Sequence, residues 1–180
     1  MNPIDIMAEF YDRDSKPYEL LIQHGRQVAK KALDVATKVS HTSPDLEFIQ
    51  EAAMLHDIGV FMTNSPEFGC NGEYPYVCHG YLGREMLEKR GLPRHALVCE
   101  RHVGVGITAE EIKRRHLPLP IRDMIPISIE EKIICFADKF YSKNGNSNEN
   151  EKTVKDILCN LERYGHDKVK RFQAWMKMFA

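Results

Sequence analysis

The chain has 180 residues, 43% of them hydrophobic and 28% charged, and a formal net charge of -1. That length can bury one substantial core, and the composition is ordinary for a globular protein. The near-zero net charge gives no electrostatic basis for a nucleic-acid partner.

The opening "MNPIDIMAEFYDRDSKPYEL" lacks a basic stretch followed by an apolar one, and no run reaches membrane-span length. Five cysteines without a CxxC pair favour reduced thiols. The expectation is a cytoplasmic protein with no membrane contact. The basic clusters "IKRRH" at 112–116 and "KVKR" at 168–171 are not interleaved with aromatic side chains, and read as solvated helix faces.

In chain order, the pattern predicts helix almost throughout. Pro17 sits where a first helical turn can begin, and Leu21, Gly25, Val28, Ala32, Val35 and Val39 then recur at three- and four-residue intervals. His24 falls on that apolar side. In "HTSPDLEF", Ser43 is the expected cap with Pro44 at the first helical position. The helix that follows carries Phe48, Ala52, Met54 and Leu55 and ends near "HDIG", with Gly59 as its stop.

Residues 62–77, "MTNSPEFGCNGEYPYV", read as a long excursion without regular structure, either a substrate lid or a surface insertion. Helices are expected over 78–90 and 93–103, separated by "RGLP". "TAEEIKRR" restarts helix as a capping box, with Thr108 as cap and Glu111 three residues on. Ser128 precedes an apolar helix that contains Asp138. "SKNGNSNENEK" at 142–152 reads as a flexible link, and two short helices close the chain. Those two are expected to pack on the core, with a homodimer through the second as the alternative.

Six side chains stand out in the order His24, His56-Asp57, His79, His102 and Asp138. Each has a plain structural reading on its own. His24 can be a hydrogen-bonded core histidine, His79 a cap, and His102 a partner of a helix C-terminus. Asp138 resists such a reading, because "IICFADKF" surrounds it with apolar neighbours and an unpaired buried carboxylate is costly. Lys139 next to it faces another direction on a continuous helix. Neighbours such as His56 and Asp57 are about 100° apart on a helix and converge only at a helix interface or end. Imidazole and carboxylate together suit iron, manganese, zinc or nickel.

With those residues in hand, the chain resembles the HD-domain superfamily of metal-dependent phosphohydrolases. His24, "HDIG" at 56–59 and Asp138 in "EKIICFADKF" carry the resemblance, over about 18–143. His79 and His102 match the extra ligands of the two-metal branch, and the overall arrangement is similar to bacterial HD proteins that split diadenosine tetraphosphate. The resemblance implies an all-α helical bundle forming a single domain over 1–180, with its core at about 18–143 and an extension at 151–180. It also implies two metal ions, with iron expected first and manganese, zinc or nickel as alternatives. One would be held by His24, His56, Asp57 and Asp138, the other by Asp57, His79 and His102, with Asp57 bridging and central to catalysis.

The implied reaction is hydrolysis of a phosphate ester or anhydride in a small phosphorylated metabolite such as a nucleotide, by metal-activated water. Arg84, Arg101 and Lys139, closest in sequence to the ligands, are the candidates for substrate phosphate. Tyr74 and Tyr76 are candidates to stack on a base. Many HDIG sequences continue with lysine, whereas this chain has Val60. HD-like diiron oxygenases share the ligand order, so an oxygenase is the first alternative and a non-catalytic metal-binding module the second. Catalysis by Cys78 or Cys99 is disfavoured, since neither has a separate histidine and acid.

Overall fold

The computed structural model describes residues 1–143 and 151–180. The link expected at 142–152 falls mostly outside them. Nine α-helices are present among the described residues: α1 (Pro3–Met7), α2 (Lys16–Lys38), α3 (Leu46–Leu55), α4 (His79–Lys89), α5 (Pro93–Arg101), α6 (Ala109–Arg115), α7 (Ile129–Asp138), α8 (Val154–Glu162) and α9 (His166–Met178). The fold is all-α, as the hydrophobic periodicity predicted.

Helix α2 is the spine. Ser15 caps it by accepting from the Tyr18 backbone N–H at 3.4 Å, and Pro17 lies in its first turn. Its stripe of Leu21, Val28, Ala32 and Val35 is buried. A Cβ on Gly25 would lie 3.1 Å from Met54 Cα, so the missing side chain is what lets α3 cross so closely. The cap of α3 is Asp45, whose Oδ1 accepts from Phe48 N–H at 3.0 Å, and not Ser43. Ser43 closes a 3-10 turn with φ of 50°, a left-handed conformation that moves the helix start two residues on.

One apolar cluster joins α2, α3 and α7 to α8 and α9 through Ile157, Leu161, Phe172 and Trp175. Each large side chain removed from water there contributes about 1.5–3 kcal/mol. The C-terminal helices thus spend their apolar faces on the chain's own core, leaving Met178 exposed. A second cluster ties α1 to α3, α4 and α5, and a third lies around Cys78, Ile112 and Met124.

The excursion at 62–77 is more ordered than its composition suggested. It holds a two-stranded antiparallel hairpin, β1 (Asn64–Ser65) with β2 (Cys70–Asn71), and 3-10 turns at Pro66–Phe68 and Tyr76–Cys78. Phe68 and Cys70 are buried in the second cluster. Strands of two residues are too short to produce an alternating pattern.

Thr108 does cap α6, accepting from Glu111 N–H at 3.0 Å. The returning arm of the expected capping box is not made, because the Glu111 carboxylate is held by Lys168 and Arg115. Lys168 is itself buried, so "KVKR" is not a wholly solvated face. Among the described residues, no helix is long and apolar enough to cross a membrane.

Candidate metal centre

All six singled-out residues are buried, each no more than 6% exposed, and they meet at one place. His24 comes from the middle of α2. His56 and Asp57 follow the last residue of α3, where the chain turns into a 3-10 segment at Ile58–Met62. The helix end is what lets two consecutive side chains point to the same centre. His79 opens α4, His102 follows α5, and Asp138 ends α7.

Gly59 makes the approach of α4 feasible. A Cβ there would sit 2.3 Å from the His79 carbonyl oxygen and 2.5 Å from Gly83 N. The HDIG glycine therefore serves close packing here, since α3 has already ended before it.

Asp57 divides the six into two groups. Its Oδ2 lies 3.0 Å from His56 Nε2 and 3.4 Å from His24 Nε2, while its Oδ1 lies 3.2 Å from His102 Nε2 and 3.3 Å from His79 Nε2. Asp138 Oδ1 completes the first group, 2.9 Å from His24 Nε2 and 3.4 Å from His56 Nε2. The candidate ligand atoms of His24, His56, Asp57 and Asp138 all lie within 4.8 Å of one another, as do those of Asp57, His79 and His102.

Three of the imidazoles are aimed from behind. The Nδ1 atoms of His56, His79 and His102 lie 2.6, 2.6 and 2.7 Å from the carbonyl oxygens of Ala53, Tyr76 and Cys99. A carbonyl oxygen only accepts, so the proton belongs on Nδ1 and the Nε2 lone pair faces the centre. His79 Nε2 and His102 Nε2 face each other at 3.0 Å. Two lone pairs that close, beside Asp57 Oδ1, call for a positive species between or near them.

The same demand shows in the unsatisfied atoms. Five buried side-chain polar atoms lack a hydrogen-bond partner among the described residues, and three face this centre, His56 Nε2 and both Asp57 oxygens, while a fourth, His24 Nδ1, is the ring nitrogen on the side away from it. This donor set fits a cation.

A proton competes with a cation for the same centre, as the titration of the cluster shows. For His56, burial is the largest influence and opposes the imidazolium, but the Asp57 and Asp138 carboxylates outweigh it and hold the group up at about 9. For His102, burial, helped by the nearby His56 charge, outweighs Asp57 and pushes the group down to about 3, a neutral donor. Burial also acts most strongly on Asp57 and Asp138, raising both, yet His56 and Lys143 on the first and Lys139 and His24 on the second keep them well below the usual carboxylate range.

Of the proposed phosphate contacts, Lys139 is at the centre. Its Nζ lies 2.7 Å from Asp138 Oδ2, contrary to the expectation from a continuous helix, because α7 ends at Asp138 and Lys139 is its C-cap. Arg84 is bound by Glu88 and Glu100, Arg101 by Glu131, and neither lines the two cavities that reach Asp138.

The sequence reading missed Lys143. Its Nζ approaches Asp57 Oδ2 to 2.8 Å as an ion pair and donates to the Tyr76 hydroxyl at 2.7 Å. Its one signal was a place four residues after Lys139, at the edge of a polar tract. Tyr76 stacks on His79 with centroids 4.5 Å apart, whereas Tyr74 is exposed. Val60 is fully buried. Cys99 and Cys135 are buried thiols, with burial pushing the first well up and the second to about 12, so neither is a poised nucleophile.

The HD domain family matches residues 21–142, and the chain belongs to that family, one of metal-dependent phosphohydrolases. The buried His/Asp cluster fits its metal site.

Among curated relatives, the chain is 35% identical over 125 residues to a tRNA (cytidine(56)-2'-O)-methyltransferase of Picrophilus torridus, covering 69% of this chain and 32% of that protein. It is 35% identical over 123 residues to an uncharacterized protein of Methanocaldococcus jannaschii, covering 67% of this chain and 65% of that one. A Thermoplasma volcanium protein of the same methyltransferase name is 30% identical over 125 residues, again 32% of its length. The chain therefore spans about a third of the two methyltransferases and just under two thirds of the third relative. No solved structure matches.

Proposed function

We propose that the protein is a phosphohydrolase that uses two metal ions, iron or manganese before zinc or nickel, to cleave a phosphate ester or anhydride of a small metabolite. The observation that carries this is Asp57, with one oxygen facing His24 and His56 and the other facing His79 and His102. When bound at such a pair of positions, metal ions lower the pKa of water and offset charge on the phosphoryl group.

The remaining work falls to the chain. Asp57 would offer one carboxylate oxygen to each position. The carbonyl-anchored imidazoles of His56, His79 and His102 keep their lone pairs inward without rotation. Lys139 and Lys143 line a cavity of about 300 Å³ that includes His79, His102 and Asp138, and would offer cationic heads to a phosphoryl group bound there. Tyr76 fixes the Lys143 head by accepting its hydrogen bond. These two lysines favour an anionic substrate over a neutral one. The tRNA modification named for two relatives is not carried over, since the match spans only about a third of them.

The test is phosphate release from a panel of phosphomonoesters and nucleotides by protein reconstituted with Mn²⁺ or Fe²⁺, under anaerobic conditions, beside oxygen uptake in air. Anaerobic phosphate release supports the reading. Oxygen consumption with a bound organic substrate and no phosphate release overturns it.

A further inference from the structure

The cavity that includes His79, His102 and Asp138 is also lined by side chains that the metal centre does not use. Its lining includes the apolar Val77, Ile107 and Leu117 together with the charged Glu111 and Lys168. Arg115 of α6 and Tyr164, two residues past α8, line it as well. Arg115 lies over the Tyr164 ring, 5.8 Å from its centroid. Arg115 is also anchored from behind, with Nη1 2.9 Å from Glu111 Oε1. Glu111 is buried and is held in turn by the buried Lys168, which also donates to the Gly106 carbonyl at 2.7 Å. The guanidinium is thus tethered on one side, with 37% of the Arg115 side chain and 53% of Tyr164 in solvent.

Asn160 lines this cavity and also the neighbouring one of about 510 Å³, and both include Asp138, Lys139 and Lys143. Asn160 and Tyr164 lie beyond residue 142, where the family match stops, whereas Arg115 lies inside it.

We propose that Arg115, Asn160 and Tyr164 form a subsite for the group attached to phosphorus, and that it takes a planar unsaturated ring. This rests on the phosphohydrolase reading of the adjoining centre. A cation plate and an aromatic ring attract a π-face, and apolar walls suit a ring edge. The amide of Asn160 offers two N–H donors and a carbonyl acceptor, enough to orient a ring substituent.

The experiment is calorimetric binding of phenylphosphonate and methylphosphonate to the full chain reconstituted with Mn²⁺, for wild type, Tyr164→Ser and Asn160→Ala. Wild type is expected to bind phenylphosphonate about fivefold tighter, and Tyr164→Ser to lose most of that preference while holding methylphosphonate unchanged. Equal affinities in wild type, a preference that survives both substitutions, or no binding of either compound overturns the subsite. A phenyl preference lost in Tyr164→Ser, without any phosphate release from phenyl phosphate, supports the subsite and overturns the hydrolase reading instead.

Discussion

Glu100 and Asp57 are both carboxylates buried to within 3% of complete, and their surroundings are opposite. Glu100 receives Arg84 at 2.5 Å on one oxygen and Arg122 at 2.5 and 2.8 Å on the other. Its charge is matched by side chains that can do nothing but donate. Asp57 is surrounded mainly by ring nitrogens whose lone pairs face it, with one lysine head alongside. A buried charge that the protein neutralises itself is a structural element. A buried charge ringed by further lone pairs is a binding site for something positive, and the unpartnered atoms cluster there accordingly.

The sharpest way to break this contrast is Asp57→Ala. Because both groups of ligands share Asp57, metal content should fall at both positions and phosphate release by about a thousandfold or more. Plasma mass spectrometry with a phosphate assay checks it. Retained metal and turnover would make Asp57 no different from Glu100.

Metal addition gives the second test. If the Asp57 cluster needs a cation, saturating Mn²⁺ should stabilise the chelated protein by about 3 kcal/mol and raise Tm by roughly 5–10 °C. Thermal unfolding of wild type should show the rise, and Asp57→Ala should not.

The converse holds at the other carboxylate. Arg122→Met leaves the Glu100 oxygen that faces it without its cation and should destabilise the fold by about 2 kcal/mol. The loss should be the same in chelator and in Mn²⁺, read from urea unfolding.

A smaller effect concerns an exposed acid. Asp45 accepts from Phe48 N–H and pairs with Arg94, which lowers its pKa from 3.8. Its stabilisation is therefore present above the unfolded value and is lost as pH falls through the depressed folded one. Asp45→Ala should cost about 1 kcal/mol at pH 7 and less as pH drops below 3.8. Denaturant curves at a series of pH values test the sign.

Legibility in the sequence followed range. His24 was readable because α2 repeats its apolar stripe over six turns, and Asp138 because hydrophobic neighbours make a lone carboxylate conspicuous. His79 and His102 were readable from helix ends set by Gly and Pro. What stayed hidden depended on distant partners. Lys168 looked like a solvated basic residue, yet its acceptor Glu111 lies 57 positions away. Lys143 meets Asp57 only through the fold, and no local pattern marks it. The cap of α3 was misplaced because Ser43 and Asp45 are equally good caps by type, and the left-handed turn at Ser43 decides between them.

The most direct test is metal stoichiometry in purified, Mn²⁺- or Fe²⁺-reconstituted protein, wild type beside His79→Ala/His102→Ala. Two equivalents in wild type and one in the double variant are expected, because the second group loses two of its three ligands while Asp57 stays with His24, His56 and Asp138. One equivalent in both proteins would contradict the bridging role of Asp57, and the two-metal account with it.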